Sequence, residues 1–574
     1  MRTSINLFIP LILLLFSCQQ ETLTERQATS DNPFIGDRGL ISDSAMVVSA
    51  HPLASEAGIS ILRNGGNAID AAIGVQFALA VVLPAAGNIG GGGFLVYRDA
   101  EGEAYTLDYR EKASGNATED MYLDNAGEVI PMSSREGHLA SGVPGTVAGM
   151  IEAHRKFGSM PLADIMAPAI KLAGEGFALT RREAYQLQNV QKYFQEVNMI
   201  QPRFLLNENW QPGDTIYMPE LASTLKRIAD TEGRDFYEGE TARLIVEEMK
   251  RGGGTIDAED LANYRAKWRD PVFIDFQDYK LISMPPPSSG GLVMGQVLNM
   301  VSPFDLKSAE PYSVSTIHLL TEAERRAYAD RARHMGDADF YPVPQGDLLS
   351  TTYARSRMNN FDENKATSSS EVNPGLGTPA ESEQTTHFSI VDKDGNAVAV
   401  TTTLNGGYGS GVVVAKAGFL LNNEMDDFSI KPGEPNMFGL IGGKANAIAP
   451  GKRMLSSMTP TVVEKDGKLF MVVGTPGGST IITSVLQVFL KVTQHNMSMQ
   501  QAVSSPRFHH QWLPDQIRVE EGAFDENTKA QLMEMGHTID EVNAIGRVDA
   551  ILILDDGRLE GGADPRGDDT AIGY

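Results

Sequence analysis

The sequence predicts a layered α/β sandwich, and two observations carry that prediction. Helical periodicity dominates the chain from residue 146 to about residue 334. After Thr385 the pattern changes to short apolar strands joined at Asp-Gly turns, which are strong hairpin signals. Strand-rich sheet flanked by helices, drawn from both sides of a polar stretch at residues 364–384, favours a layered sandwich over a parallel doubly wound sheet. Dehydrogenase-like folds are therefore excluded.

The individual elements follow from apolar spacing. Residues 50–84 show helical spacing on both sides of Gly65-Gly66-Asn67, so two packed helices are expected. The glycine run at 90–93 fits neither nucleotide-binding fingerprint, and tight packing beside a strand is the favoured explanation. Further helices are predicted at 169–173 (with Pro168 in the first turn), 221–230, 241–250, 317–333, 479–492 and 528–535, and hairpins at 94–109, Asp394-Gly395, Asp466-Gly467 and Asp556-Gly557.

Composition narrows the class of protein. The 574 residues allow several domains, but length is a soft guide and one large interwoven unit is equally open. A hydrophobic content of 42% with 57 glycines fits a globular enzyme with many tight turns. The net charge of −26 disfavours a nucleic-acid partner, because binding to a phosphate backbone draws on clustered Lys and Arg. The acidic surface is better explained by solubility.

The N-terminus predicts export. Met1-Arg2 leads into an apolar run at residues 7–16, which is too short for a transmembrane helix of about 20 residues. The segment 15–18 (LFSC) resembles a bacterial lipobox, and Cys18 is the only cysteine of the chain. A single cysteine excludes an intrachain disulfide and a thiolate metal cluster, so Cys18 is interpreted as a lipid anchor. An ordinary signal with an incidental cysteine is the alternative.

These features set the expected boundaries at the start of the chain. Residues 1–18 form a lipoprotein-type signal peptide that ends at Cys18, and residues 19–37 form a polar tether. The protein is then exported and faces the periplasm or the cell surface, held to the membrane through its lipid.

The junction at Gln384-Thr385 is where the sequence predicts chemistry. The polar stretch 364–384 runs directly into a strand that begins with Thr385. A hydroxyl residue at the start of a buried strand, after loose chain, is what a self-cutting protein needs to create a new N-terminus. An N-terminal Thr carries its own base, since the reference pKa of an α-amine is about 7.7–8.0. From this local pattern alone, an ordinary loop that meets a strand is the simpler explanation.

Later segments add partners for Thr385. The paired strand ends at Thr403, and hairpin geometry brings that end back beside Thr385. Gly477 and Gly478 precede a predicted helix, where backbone N–H groups can face a developing negative charge. Removing one such donor typically costs on the order of 3 kcal/mol of catalysis. Considered alone, the glycine pair would be a simple strand-to-helix turn.

Together these segments closely resemble the γ-glutamyltransferase (glutathione hydrolase) family of N-terminal-nucleophile hydrolases, from about residue 50 to residue 574. The resemblance rests on ordered motifs at 107–111 (LDYRE), 142–145 (GVPG), 284–291 (MPPPSSGG), 421–428 (LNNEMDDF), 453–460 (RMLSSMTP), 474–479 (GTPGGS) and 506–512 (PRFHHQW). It implies a four-layer αββα sandwich built from two subunits, 38–384 and 385–574, after autocleavage between Gln384 and Thr385.

The resemblance also implies roles for individual residues. Thr385 would be the nucleophile of both autocleavage and catalysis, with Thr403 hydrogen-bonded to it. Gly477 and Gly478 would form the oxyanion hole. The substrate-binding residues would be Arg110 for the α-carboxylate, with Asn405, Glu424, Asp427, Ser456 and Ser457 around the amino-acid head.

The polarity of these residues suits a zwitterionic amino acid. Such a head needs a bidentate cation for its carboxylate and carboxylates for its ammonium, and Arg110 with the Glu424/Asp427 pair can supply both. The implied reaction is attack on the γ-glutamyl amide of glutathione or related compounds, followed by transfer of the glutamyl group from a Thr385 ester to water or an amino acid. No metal or organic cofactor is implied.

Two alternatives stay open at this point. The first is a related acylase that acts on glutaryl-type side chains of β-lactams such as cephalosporins. Asp427 argues against it, because those substrates lack the α-ammonium that this carboxylate suits. The second is an uncleaved lipoprotein that only binds γ-glutamyl compounds, which would require the cut to fail.

Two further residues near the site carry expectations. The Gly- and Pro-rich stretch between Asp427 and Arg453 matches the lid loop of family members that cover the bound substrate. Phe438 occupies its closing position, where some members have Tyr, so a hydroxyl hydrogen bond is lost and weaker closure is expected. His387 lies close to the nucleophile, but a structural role is expected because the α-amine already serves as the base.

Overall fold

The computed structural model describes residues 39–202, 207, 209–372 and 385–574. The predicted signal peptide and tether, with Cys18, lie outside the described residues, and so does Gln384. Within the described ranges, no helix combines the length and the apolar character that crossing a bilayer requires.

Strands from both halves of the chain build the centre of the molecule. In chain order they are β1 (Leu40–Ser42), β2 (Met46–Ser49), β3 (Gly92–Arg98), β4 (Ala104–Asp108), β5 (Phe177–Ala178), β6 (Thr215–Ile216), β7 (Lys267–Arg269), β8 (Val272–Phe276), β9 (Tyr279–Ser283), β10 (Thr385–Val391), β11 (Ala397–Thr403), β12 (Thr461–Lys465), β13 (Lys468–Gly474), β14 (Phe508–His509), β15 (Ile517–Glu520), β16 (Ile539–Val542), β17 (Asp549–Ile553), β18 (Leu559–Gly562) and β19 (Thr570–Gly573).

Among the described residues, these strands form two large antiparallel sheets. One has the order β1-β18-β17-β13-β12-β9-β8, and the other has the order β19-β2-β10-β11-β3-β4-β7. Each sheet mixes strands from before and after residue 385, so the two parts of the chain cannot form separate domains. Two small sheets, β14-β15-β16 and β5-β6, lie outside this centre. The three predicted Asp-Gly hairpins are confirmed as β10-β11, β12-β13 and β17-β18.

Helices cover both outer faces of the paired sheets. They are α1 (Pro52–Arg63), α2 (Ala68–Val82), α3 (Thr146–Phe157), α4 (Leu162–Glu175), α5 (Arg181–Val197), α6 (Pro219–Asp230), α7 (Arg234–Glu238), α8 (Glu240–Gly252), α9 (Ala258–Ala262), α10 (Gly290–Val301), α11 (Val314–His334), α12 (Gln345–Leu348), α13 (Thr351–Arg357), α14 (Ile481–His495), α15 (Met499–Ser504) and α16 (Glu526–Glu534).

Buried apolar side chains define four layers. Val48, Val96, Val462 and Val472 belong to the core between the two sheets. Helices α1 and α2 pack with one core on the outer face of the β2-β10-β11-β3 sheet, and α10, α11 and α14 pack with another core on the other sheet. The order is therefore helix, sheet, sheet, helix. This confirms the predicted αββα sandwich.

The prediction for Pro168 is wrong. Pro168 was expected in the first turn of a short helix at 169–173, but it lies inside the longer helix α4. Proline in a helix interior removes one hydrogen bond and costs about 3 kcal/mol. The buried stripe Leu162, Ile165, Met166 and Ala169 continues across this position, so apolar burial on one face offsets the cost of the proline.

The hairpin β10-β11 positions the predicted nucleophile. Thr385 is the first residue of β10 and is directly opposite Thr403, the last residue of β11. Both strands are fully buried in the middle of their sheet. The glycine run packs along the same edge, because a Cβ at Gly93 would lie 2.5 Å from the Thr401 carbonyl oxygen. Close strand packing, as predicted, explains these glycines.

Candidate active site

The two threonines of the hairpin form a hydrogen-bonded pair. The Oγ1 atoms of Thr385 and Thr403 are 3.3 Å apart, and both side chains are buried. The Thr403 oxygen also accepts the backbone N–H of Asn405 at 2.7 Å. Asn405 has a left-handed φ of 73°, so the chain turns directly after this amide. The position of the Thr403 hydroxyl relative to Thr385 is therefore fixed by backbone as well as by strand pairing.

The glycine pair lies between β13 and α14. Gly477 and Gly478 have positive φ values of 137° and 53°, and a short 3-10 turn from Gly478 to Thr480 leads into the helix. A Cβ at Gly478 would lie 2.5 Å from the ring of Phe438. Glycine is needed here for conformation and for space. Both backbone N–H groups belong to the turn that opens α14, the arrangement that suits an anion.

A small pocket adjoins Thr385, and we call it the Arg110 pocket. It encloses about 280 Å³ of space, its mouth included. The residues that line it are Arg110, Arg331, Thr385, Thr403, Asn405, Glu424, Asp427, Phe438, Leu440, Ser456, Ser457, Met458, Gly478 and Ile481. The structure thus brings together every predicted site residue except Gly477, which lines a second cavity on another side of Thr385. We call this second cavity the Arg547 cavity. It encloses about 570 Å³, its mouth included, and its lining includes Arg182, Arg547 and Arg566.

Opposite charges are concentrated in the Arg110 pocket. The Arg110 guanidinium, fully buried, donates to Glu424 and Asp427 and lies 3.5 Å from Glu111. Burial raises the pKa of Glu424, raises that of Asp427 to about 6 and raises that of Glu111 to about 7. Arg110 alone cannot neutralise three buried carboxylates, and with Arg331, the other arginine that lines the pocket, one negative charge is still uncompensated. A further cation, such as the ammonium of an amino acid, would stabilise the ionised forms of these carboxylates.

Arg331 is a pocket residue that the sequence did not predict. It comes from α11, whose described residues from Thr316 to Ala332 are all buried. Its Nε donates to the Ser289 hydroxyl at 2.8 Å and its Nη2 donates to the Ser457 hydroxyl at 3.1 Å, and both of these groups are neutral. Burial lowers the pKa of Arg331 to about 10. Its charge is therefore available to a carboxylate that enters the pocket.

Hydrogen bonds hold the predicted lid, the stretch between Asp427 and Arg453, in place. The Gln511 side chain donates to the Phe438 carbonyl at 3.1 Å, and its own oxygen is 2.9 Å from His509 Nε2. The other nitrogen of His509 is 2.9 Å from Thr483 on α14. Asn436 of the lid donates to Asp427 at 3.0 Å. Through these contacts the lid backbone around Phe438 is fixed, and the Phe438 ring lies against Gly478.

His387 lines neither cavity, and both of its ring nitrogens have hydrogen-bond partners. Its Nδ1 is 2.9 Å from Thr401 Oγ1 and its Nε2 is 3.0 Å from Ser389 Oγ. Burial lowers its pKa to about 3, so the ring is neutral. A Cβ at Gly474 would lie 2.3 Å from the ring, which shows how closely the histidine packs between the sheets. The structure agrees with the structural role expected for His387.

One group of residues with metal-ligand chemistry lies away from the site. His318, Glu322 and His537 are buried close together. His318 uses one nitrogen on His537 and the other on the Asp362 carbonyl, while Glu322 accepts from Arg326. Each ligand atom that a metal would need is already engaged, and the adjacent guanidinium disfavours a cation. A structural role explains this cluster.

Comparison with known proteins identifies the family. The model of the γ-glutamyltranspeptidase family matches residues 54–574. This chain belongs to that family. It is 47% identical over 535 residues, 92% of each chain, to the glutathione hydrolase proenzyme of Escherichia coli (strain K12). The family assignment confirms the resemblance seen in the sequence motifs.

Solved structures agree on the fold. The crystal structure of a cephalosporin acylase from Bacillus halodurans superimposes with a TM-score of 0.83 at 28% identity, over 98% of this chain and 99% of that one. The Helicobacter pylori γ-glutamyltranspeptidase is 46% identical, with a TM-score of 0.56 over 57% of this chain and 94% of the solved chain. The γ-glutamyltranspeptidase fold is therefore shared with enzymes named for acylase activity.

Proposed function

We propose that the protein is a glutathione hydrolase that transfers the γ-glutamyl group of glutathione and other γ-glutamyl amides to water or to an amino acid. One observation carries the proposal. The paired hydroxyls of Thr385 and Thr403 are at the edge of a buried pocket that holds both signs of charge. A γ-glutamyl compound presents the matching groups, an amide for the nucleophile and a zwitterionic head for the pocket. The proenzyme name of the E. coli relative supports a maturation step.

Maturation would begin with the same hydroxyl. Thr385 Oγ1 attacks the carbonyl carbon of Gln384, the peptide C–N bond breaks, and an ester joins Gln384 to the hydroxyl while the nitrogen becomes an amine. Water then hydrolyses the ester. The products are a large subunit that ends in the Gln384 carboxylate and a small subunit that begins with a free Thr385. The match to the H. pylori structure covers 94% of the solved chain but only 57% of this one. The solved chain is therefore about as long as the large subunit that this cut would produce.

Catalysis would use the freed terminus. The α-amine of Thr385 accepts the hydroxyl proton as Oγ1 attacks the γ-carbonyl carbon, and negative charge develops on the carbonyl oxygen near Gly477 and Gly478. The C–N bond then breaks, the departing amine takes the proton, and a γ-glutamyl ester is left on Thr385. Water or an amine attacks that ester, the C–O bond breaks, and Oγ1 regains a proton.

The Arg110 pocket would hold the glutamyl head. Asp427 and Glu424 accept the substrate ammonium, which supplies the additional cation that the buried carboxylates lack. Arg110 binds the α-carboxylate, as the family resemblance implies, and Arg331 adds a second buried cation on the same wall. Asn405, Ser456 and Ser457 supply neutral hydrogen-bonding groups around the head. These assignments extend the sequence prediction by one residue, Arg331.

The test combines maturation with substrate choice. On a denaturing gel the purified protein should give two bands, with the smaller beginning at Thr385 by N-terminal sequencing. It should hydrolyse L-γ-glutamyl-4-nitroanilide at least about 100-fold faster than glutaryl-4-nitroanilide, which lacks only the α-ammonium, because unpaired buried carboxylates penalise the second substrate. A preference for the glutaryl compound would instead support an acylase, and a single inactive band would support a binding protein.

We also propose that the enzyme is exported and held to a membrane by lipid on Cys18. The support is the apolar run at 7–16 and the LFSC segment at 15–18. A single acyl-bearing cysteine at the end of a polar tether places the catalytic unit outside the membrane. A Cys18→Ser variant should move from the membrane fraction to the soluble fraction, and unchanged fractionation would contradict the anchor.

A further inference from the structure

Residues 366–372 precede the proposed cut, and we call them the tail segment. After that cut they would lie near the C-terminal end of the large subunit. One side of the segment is buried, with Thr367, Ser369 and Val372 facing the protein, while residues 368, 370 and 371 are exposed. Val372 belongs to the same buried core as Trp512, which would lie in the small subunit. The tail segment is therefore packed across the two parts of the chain.

Ser369 is the most firmly held residue of the tail segment. Its N–H donates to Asp515 at 2.7 Å, and its carbonyl accepts from the Trp512 indole N–H at 3.0 Å. Its hydroxyl accepts from Arg325 of α11 at 2.5 Å, and Arg325 also donates to Asp515. Every polar group of this buried serine thus has a partner. Two of the partners lie in the loop between β14 and β15, so Ser369 fixes that loop against α11.

Trp512 needs this support because its backbone is left-handed, with a φ of 71°. For a bulky residue that conformation is an outlier, which persists only where surrounding contacts hold it. Two hydrogen bonds hold it here. The Trp512 N–H donates to His510 Nδ1 at 3.1 Å, and the indole N–H donates to the Ser369 carbonyl. The tail segment therefore supplies one of the two hydrogen bonds that fix this turn.

The turn at Trp512 directly follows Gln511, the residue that binds the lid. The Gln511 side chain donates to the Phe438 carbonyl and also, across the turn, to the Leu513 carbonyl at 3.2 Å. The direction of the Gln511 side chain therefore depends on the conformation of Trp512. A continuous series of contacts leads from Ser369 through Trp512 and Gln511 to the lid.

We propose that the tail segment positions the lid over the Arg110 pocket. Ser369 holds Trp512, the turn at Trp512 orients Gln511, and Gln511 holds the Phe438 carbonyl. Ser369 and Trp512 are positioning residues, because neither lines the pocket. This inference rests on the proposed function. The end of the large subunit would then continue to support substrate binding after it has been cut from the small subunit.

A double-mutant cycle tests the route through Gln511. Trp512→Phe keeps an aromatic ring and removes only the indole N–H, so it should raise KM for L-γ-glutamyl-4-nitroanilide about threefold with little change in kcat. In a Gln511→Leu background the bond to Phe438 is already lost, so the same change should leave KM within about 1.5-fold. A contact that only stabilised the fold would act equally in both backgrounds. All values are measured per cleaved enzyme.

Ser369→Ala tests the route from the side of the tail. It removes the hydroxyl that accepts from Arg325 and should raise KM about twofold, again without effect in the Gln511→Leu background. Trp268→Phe is the matched control for the tryptophan, because its indole N–H donates to Glu152 instead. Ser370→Ala is the control for the serine, at the adjacent exposed position. Both controls should keep the wild-type KM.

Two results would overturn the proposal. One is an unchanged KM in both Trp512→Phe and Ser369→Ala, and the other is an equal increase in KM with and without Gln511. If Trp512→Phe is not cleaved, Ser369→Ala in the two backgrounds decides alone. Failure of the proposed function is distinct, since wild-type enzyme would then not hydrolyse the anilide.

Discussion

The two cavities that meet at Thr385 are built in opposite ways. The Arg110 pocket is small, and its guanidinium is fully buried against acidic partners within the pocket. The Arg547 cavity is larger, is lined by three arginines, and keeps their acidic partners behind its wall. Buried charges of both signs favour a complete zwitterion in the Arg110 pocket, because a ligand that lacks either group leaves a buried charge unpaired. The Arg547 cavity, with its arginine-lined wall, requires only that a ligand carry a negative charge.

This difference teaches how one enzyme can be strict and permissive at once. Strictness toward the glutamyl head follows from the cost of leaving Glu424 or Asp427 unpaired in a buried pocket. The larger Arg547 cavity makes weaker geometric demands on an anion, because a partly exposed ion pair contributes little free energy. The nucleophile and one glycine on each side join the two modes of recognition.

The largest expected effect comes from replacing Thr385, the residue that lines both cavities. A Thr385→Ala variant should stay a single chain on a denaturing gel and should lose γ-glutamyl anilide hydrolysis by at least about 10³-fold, because the same oxygen cuts the chain and attacks the substrate. The gel and the anilide assay measure the two losses separately.

The matched control is Thr386→Val on the next residue. The Thr386 side chain is buried and its hydroxyl has no hydrogen-bond partner among the described residues, so an isosteric apolar replacement costs little. This variant should cut itself and turn over substrate. If the Thr385→Ala protein were cleaved and active, Thr385 would not be the nucleophile. The comparison of the two cavities that meet at Thr385 would then lose its basis.

The sequence predicts most of the Arg110 pocket because its parts lie in short local motifs. The Thr385–Thr403 register follows from one Asp-Gly hairpin, and Glu424 and Asp427 come from one 3-10 turn. Arg331 could not be found in this way, since α11 carries charges around its whole circumference and resembles an exposed helix, yet it is buried on every side. Helix α4 was misjudged for a related reason, because burial overrode the local signal of Pro168.

The Arg547 cavity lay beyond sequence reasoning for a topological reason. Its wall is assembled from the residues that directly follow α2, the start of α5, Pro476 with Gly477, and the segment between β16 and β19. These pieces meet because β19 pairs with β2, and β2 in turn pairs with the nucleophile strand β10. No local pattern marks Arg182 or Arg547 as anything other than a surface arginine, so their meeting at one cavity depends on the packing of the whole sandwich.

The next largest effect tests the carboxylates of the Arg110 pocket. An Asp427→Asn variant should lose about 100-fold in kcat/KM for L-γ-glutamyl-4-nitroanilide, the cost of a buried charged hydrogen bond to the substrate ammonium. In wild-type enzyme, kcat/KM should also fall as the pH drops below about 6, because burial raises the pKa of Asp427 to about 6 and the protonated acid no longer attracts a cation. The variant should lose this acid limb.

Asp426→Asn provides the comparison for that pH profile. Asp426 accepts from Ser134 and from the Met437 N–H, so it holds the lid rather than contacting Arg110. Its substitution should change KM through the lid but should keep the fall in kcat/KM below pH 6. An acid limb that persists in Asp427→Asn and vanishes in Asp426→Asn would reverse the assignment of these two neighbours.

The smallest expected effect tests whether the two cavities act independently. A Gln511→Leu variant removes the hydrogen bond to the Phe438 carbonyl, together with the side-chain contacts to His509 and to the Leu513 carbonyl. The bond to Phe438 is the one that holds the lid, and as a neutral bond it is worth about 1 kcal/mol, so its loss should raise KM for γ-glutamyl anilides about fivefold with little change in kcat. Gln516→Leu, which loses a contact to Asp540 instead, is the control and should behave as wild type. L-γ-Glutamyl-3-carboxy-4-nitroanilide and L-γ-glutamyl-4-nitroanilide differ by one carboxylate on the leaving half. Because the lid covers Gly478 and not Gly477, the ratio of their kcat/KM values should stay constant in Gln511→Leu. A ratio that moved with KM would mean that lid closure organises both halves of the site.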